Sequence, residues 1–142
     1  MNSDQICNAL NRMIAILESS LPIYLTDAAP WFGGDDSAQE VITAVATDQR
    51  DTVERLARIV LDYGAEVRHG SFPMEFTGFH DLSVDFLKQE LVKRQQAEIS
   101  AFDSIAIGMP ECMAKSVAEE VVGAARGHLE SLREISATPT ML

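Results

Sequence analysis

The stretch Asp48-Gln49-Arg50-Asp51-Thr52-Val53-Glu54-Arg55-Leu56-Ala57-Arg58-Ile59-Val60-Leu61-Asp62-Tyr63-Gly64 decides how this chain reads. Apolar residues recur through it at spacings of three and four, which marks one face of a helix. Extended backwards, that face carries Val41, Val45, Thr52, Leu56, Ile59 and Tyr63, with Asp48 on the same side. Gly64 suits the position just past a helix C-terminus, where glycine adopts a left-handed conformation at no steric cost. The turn Gly33-Gly34-Asp35-Asp36 precedes this long helix, and Ser37 is its expected N-cap.

Three further helices are expected around it. The first begins near Ser3 or Asp4 and buries Ile6, Leu10, Ile14, Leu17, Leu21 and Leu25. Pro22 interrupts that pattern and should kink it. Pro30 ends it, with Trp31 capping the end of the assembly. After Gly64 comes a connection from Ala65 to His80 that holds Gly70, Pro73 and Gly78 and shows no helical period. Helix 3 then starts near Asp81, with Leu82, Phe86, Leu87, Leu91, Ile99, Phe102 and Ile105 as its apolar set. Gly108-Met109-Pro110 makes a short turn, with Pro110 at or near the first helical position of helix 4. The inward face of helix 4 reads Met113, Val117, Val121, Ala124, His128, Leu132 and Ile135.

Loop lengths select the topology. Short turns join helices 1 and 2 and helices 3 and 4, so each pair should be antiparallel. Helix 2 is roughly 40 Å long at about 1.5 Å per residue. The connection after it reaches roughly 53 Å when extended. It is therefore long enough to carry the chain back along the whole helix, and an up-and-down arrangement would not need it. The expected fold is an all-α four-helix bundle with one long crossover between helices 2 and 3, spanning residues 1–136, with a short flexible tail at 137–142.

The residues at the level of Asp48 carry a resemblance. The run Glu54-Arg55-Leu56 to Gly64 resembles the second helix of the ferritin-like superfamily, of the bacterioferritin and rubrerythrin type, where a Glu-x-x-His pair precedes such a run. Phe86-Leu87-Lys88-Gln89-Glu90-Leu91-Val92-Lys93-Arg94 resembles the third helix of that family, and Gly127-His128-Leu129-Glu130-Ser131-Leu132 the fourth. The resemblance implies a bundle that commonly pairs through the outer face of helices 1 and 2. It also implies a di-iron centre held by inward carboxylates and imidazoles. This chain departs from that ligand set. Glu18 and His128 keep the ligand type. Asp48 is a shortened acid, Asp51 stands where a histidine is expected, and the position of the third-helix glutamate is Arg94. An arginine cannot ligate a metal, because it has no free lone pair and does not deprotonate.

The expectation is accordingly a polar cluster of Glu18, Asp48, Asp51, Arg94 and His128 in place of the metal. In it a guanidinium supplies the positive charge that bidentate carboxylates need. The implied function is a non-catalytic helical protein that has lost its metal site, needs no cofactor, and acts by association with itself, as a homodimer, or with another protein. Two alternatives stay open. One is a single iron, manganese or zinc ion on Glu18, Asp48, Glu98 and His128, with oxidase or metal-handling chemistry. The other is a small-molecule module that uses the Pro22 kink.

Composition narrows the classes. The chain has 142 residues, of which 46% are hydrophobic, and a formal charge of −11. That fits one folded domain and disfavours nucleic acid and anionic membranes as partners. No run of apolar residues is long enough to span a bilayer, and Met1-Asn2-Ser3-Asp4 lacks a basic n-region and an apolar h-region, so a cytoplasmic protein is expected. Cys7 and Cys112 form no metal-binding spacing and read as free thiols. Phosphate-binding loops, His-Glu-x-x-His and Gly-x-Ser-x-Gly are absent from the sequence.

Overall fold

The computed structural model describes residues 3–27, 36–81 and 83–137. Pro30, Trp31, Gly33, Gly34, Leu82 and the tail from residue 138 lie outside the described residues. The described chain is all-helical. Its elements are α1 (Ser3–Glu18), α2 (Leu21–Asp27), α3 (Asp36–Asp62), a 3₁₀ segment (Met74–Asp81), α4 (Val84–Ile107) and α5 (Met113–Ala137). No strand occurs among the described residues, and none of the helices is long and apolar enough to cross a membrane.

The stripe from Ile6 to Leu25 is buried as expected, but the first helix is broken outright and not merely kinked. Pro22 has no N–H to donate to the carbonyl four residues back, at Glu18, so an unbroken helix is not available there. The chain leaves α1 at Ser19 and restarts at Leu21, which puts Pro22 in the first turn of α2, where the missing N–H costs nothing. Ser37 lies inside α3, which already starts at Asp36, so it is not the N-cap. The far end of α3 follows expectation. Gly64 has φ of 80°, its N–H bonds the Leu61 carbonyl, and the Ala65 N–H bonds the Val60 carbonyl. Those two bonds form a Schellman C-cap.

Two hydrophobic clusters set the direction of each helix. One joins Ile6, Leu10, Ile14 and Leu17 to Leu56, Val60, Phe102, Ile105, Val117 and Val121. It gathers the length of α1, the end of α3, the end of α4 and the start of α5. The other joins Leu21 and Leu25 to Ile42, Val45, Leu87, Leu91, Leu132 and Ile135, with Phe76 and Phe79. It gathers α2, the start of α3, the start of α4 and the end of α5. α1 and α2 pack on α3, α4 on α5, α3 on α5, and α1 on α4. Each of these neighbours runs opposite to its partner.

The segment between α3 and α4 therefore travels from one cluster to the other, and it does so along α1 and α2. Asn11 takes both ends of the exchange: its Nδ2 donates to the Glu66 carbonyl at 3.0 Å, and its Oδ1 accepts the Arg68 N–H at 2.8 Å. Two turns further along, Glu18 accepts the Gly70 N–H at 3.0 Å. Phe72 then meets Tyr24 edge to face at 5.1 Å, and Phe76 and Phe79 carry the aromatic line to Phe86. The segment is not devoid of helix, since the 3₁₀ turn fills its second half. α4 starts at Val84, three residues later than expected, because Ser83 accepts the Phe86 N–H and caps it. α5 starts at Met113 and not at Pro110.

Gly70 passes so close to α1 that a Cβ there would run into the Ala15 carbonyl oxygen and lie 2.8 Å from Ala15 Cα. Both are backbone atoms, which cannot rotate away. Gly70→Ala is expected to destabilise the fold by about 2–3 kcal/mol, the scale of forced overpacking. Gly78→Ala, with open space around the same atom, should cost far less. Urea denaturation of the two variants side by side measures this, and equal losses would contradict the close approach.

Candidate functional site

The five residues expected to converge are placed in three separate settings. Asp48 and His128 do meet: His128 Nε2 lies 2.6 Å from Asp48 Oδ2, joining α3 to α5. The imidazole is mostly covered, with its side chain 15% exposed, while Asp48 is 57% exposed. Asp51 lies on the wall of the same groove, which has a volume of about 540 Å³ and is otherwise lined by small and apolar side chains such as Val41, Ala44 and Val45.

Glu18 faces the other way. Its carboxylate takes the Gly70 N–H and sits 2.9 Å and 3.1 Å from His69 Nδ1. It holds the crossing segment and does not point toward Asp48.

Arg94 belongs to a third setting. Its Nη2 donates to Glu75 at 2.8 Å and lies 3.9 Å from Glu90, one turn back on α4. Its guanidinium carbon stands 4.9 Å from the Phe76 ring centre and 5.4 Å from that of Phe79. The arginine is thus held by carboxylates and by two aromatic faces, both cation-attracting. Its Nε is buried with no protein partner. It ties the 3₁₀ segment to α4, and the expected bridge to Glu18, Asp48 and Asp51 is not formed.

Glu98, one turn beyond Arg94, is half-buried. Burial pushes its carboxyl up to about 8, with Arg94 pulling weakly the other way. It stays protonated at neutral pH.

The level between the two hydrophobic clusters is filled by residues that the sequence reading passed over. Gln49 and Gln95 are each 1% exposed. The Ser20 hydroxyl donates to Gln49 Oε1 at 2.9 Å, and Gln95 Nε2 donates to the Ala125 carbonyl at 2.9 Å. Each glutamine stands one position after the residue expected to point inward, Asp48 on α3 and Arg94 on α4. On α5 the same shift puts Ala125 and Leu129 inside, where Ala124 and His128 were expected. Met113 points outward and is 73% exposed. One residue is about 100° of helix rotation, enough to move a side chain from the axis to the flank. The signal was present as Val45-to-Gln49 and Leu91-to-Gln95, each at a spacing of four.

A di-iron centre needs converging carboxylates and imidazoles. Among the described residues no group of three or more His, Cys, Asp or Glu side chains is placed to hold a metal ion. The residues present do not fit the two-metal site that the resemblance implies. Of the single-ion set Glu18, Asp48, Glu98 and His128, only Asp48 and His128 are in contact. What the geometry offers instead is a layer of neutral amides between two hydrophobic clusters, with charged pairs on its flanks.

Glu98 gives a pH dependence whose sign follows from its raised value. Below about 4.5 the carboxyl holds its proton in the folded and unfolded chain alike. Between there and about 8 only the unfolded chain releases it, so folding stability falls as pH rises through that window. One pKa unit is worth about 1.4 kcal/mol, and a half-buried carboxyl keeps part of its hydration. Glu98→Gln is therefore expected to gain about 2 kcal/mol over the parent chain at the alkaline end and nothing at pH 4. Melting curves across this range check it. A gain of the same size at both ends would show that the carboxyl is not titrating in this window.

No family model matches this chain, and neither a curated protein nor a solved structure does.

Proposed function

We propose that the chain is a four-helix bundle of ferritin-like topology whose two-metal site has been replaced by a neutral polar layer. On this reading it is non-catalytic and acts by association, as a homodimer or with another protein, inside the cytoplasm. The pattern of neighbours supports the topology: α1 beside α3 and α4, α5 beside α3 and α4, and a long segment that returns along α1 before α4 begins. One long crossover is the mark of that arrangement.

The observation that carries the functional reading is the identity of the axial residues. Gln49 and Gln95 are the buried polar side chains of α3 and α4 at the middle of the axis, and both are neutral amides already engaged in hydrogen bonds. Amide side chains are poor substitutes for the anionic donors that two iron ions require. With catalysis by metal set aside, the exposed apolar side chains at one end, Leu61, Ile107 and Met113, are the features that suit contact with another chain.

Elemental analysis and sedimentation equilibrium on the purified protein test the two halves separately. The expected result is no iron, manganese or zinc at stoichiometric level after dialysis without chelator, and a mass of two chains. One or more equivalents of a transition metal would overturn the loss of the site. A single-chain mass across the accessible concentration range would overturn self-association.

A further inference from the structure

We propose that one water molecule is bound at the centre of the protein, held by the side-chain oxygen of Gln95 and shared with the α3 side chains that line the same cavity. Gln95 is 1% exposed, and its Nε2 is committed to the Ala125 carbonyl. That bond fixes which way round the amide lies, so the atom left over is an acceptor. Oε1 is buried and has no hydrogen-bond partner from the protein. An unmet buried amide oxygen is costly, so an occupant able to donate a hydrogen bond is strongly favoured there.

Gln95 lines a small cavity of about 10 Å³ together with Gln49, Thr52, His128, Leu17 and Phe102. A space of roughly 10–15 Å³ on this measure holds one water. The neighbours have the complementary valences that a water needs. Gln49 Oε1 already takes the Ser20 hydroxyl, which leaves its amide N–H groups as donors. The Thr52 hydroxyl donates to the Asp48 carbonyl at 3.0 Å, which leaves its oxygen lone pairs as acceptors. A water there donates to Gln95 Oε1 and Thr52 Oγ1 and accepts from Gln49 Nε2, within the usual two to four bonds. A bare cation is disfavoured, because none of the lining residues is a carboxylate and an uncompensated charge inside the protein is costly.

Such a water joins α3 to α4, and through the Gln95–Ala125 bond to α5. It thereby deepens the reading of a neutral polar layer at the axis. The two ideas fail separately: a monomeric mass would end self-association and metal bound in a surface groove would end the loss of the site, and either would leave the water in place.

Oxygen-17 relaxation dispersion of the solvent, measured on the parent chain and on Gln95→Leu, tests the proposal together with a high-resolution crystal structure of the parent. The expected result is one slowly exchanging water in the parent that the variant lacks, and a density peak within hydrogen-bond distance of Gln95 Oε1. Equal dispersions in the two proteins would overturn it. So would a crystal in which Oε1 is met by a protein donor and the cavity carries no peak. Should Gln95→Leu fail to fold, the crystal of the parent chain decides alone.

Discussion

Asn11 and Glu18 are the residues on which the arrangement of this protein depends. An irregular segment that crosses a protein from end to end exposes a run of backbone N–H and carbonyl groups, and those it buries must be met by something. Here α1 meets them. Asn11 offers a donor and an acceptor that take Glu66 and Arg68 as a neighbouring strand would, and Glu18 takes Gly70. The two side chains are seven residues apart, close to two turns, so they stand in one row on the helix. Gly70 lets the segment lie against that row. With the segment held along α1, α4 has to begin beside α2, and every later packing choice follows.

The same segment also adds Phe76 and Phe79 to the second hydrophobic cluster, with Phe72 packed against it. Phe72, Phe76 and Phe79 lay an aromatic line between Tyr24 on α2 and Phe86 on α4. Arg94 closes the line with its guanidinium against two of those rings and its Nη2 on Glu75. The arginine is therefore a fastener between the 3₁₀ turn and α4. Its charge is neutralised at the edge of the protein by Glu75, which is more than half exposed, so that ion pair is worth little by itself. The stacking and the burial of its aliphatic stem carry more of its contribution.

Between the two clusters lies the layer of Ser20, Gln49 and Gln95. Neutral amides tolerate burial when bonded, whereas carboxylates at the same level would need a cation for each charge. Glu98 illustrates that constraint one turn from the layer: it answers burial by keeping its proton. The Asp48–His128 pair sits on the solvent side of the layer, where at least the carboxylate keeps its water.

What could be read without a structure was whatever depends on neighbours along the chain. The buried stripe of α1 was plain, because Ile6, Leu10, Ile14 and Leu17 recur at spacings of three and four. The left-handed Gly64 and the length of the crossing segment were legible for similar local reasons. The failures came where rotation about a helix axis had to be known. On α3 the apolar arc is wide: Val41 and Ile59 flank Ile42 and Val60, and a face drawn through Asp48 differs from one drawn through Gln49 by a single residue. Periodicity gives the spacing of such a face but leaves its centre to within about 100°.

The centre is set by what packs opposite. The Ser20 hydroxyl selects Gln49, and the Ala125 carbonyl selects Gln95, across distances in sequence of 29 and 30 residues. In the same way Arg94 finds Glu75 and the aromatic rings only after the crossing segment has been laid down on α1. The amino-acid sequence alone determined that this protein is helical, where most of its helices stop, and that one connection is long enough to return. Tertiary structure alone decided which polar side chains face the axis, because that choice rests on hydrogen bonds between helices and not on the order of residues within any one of them.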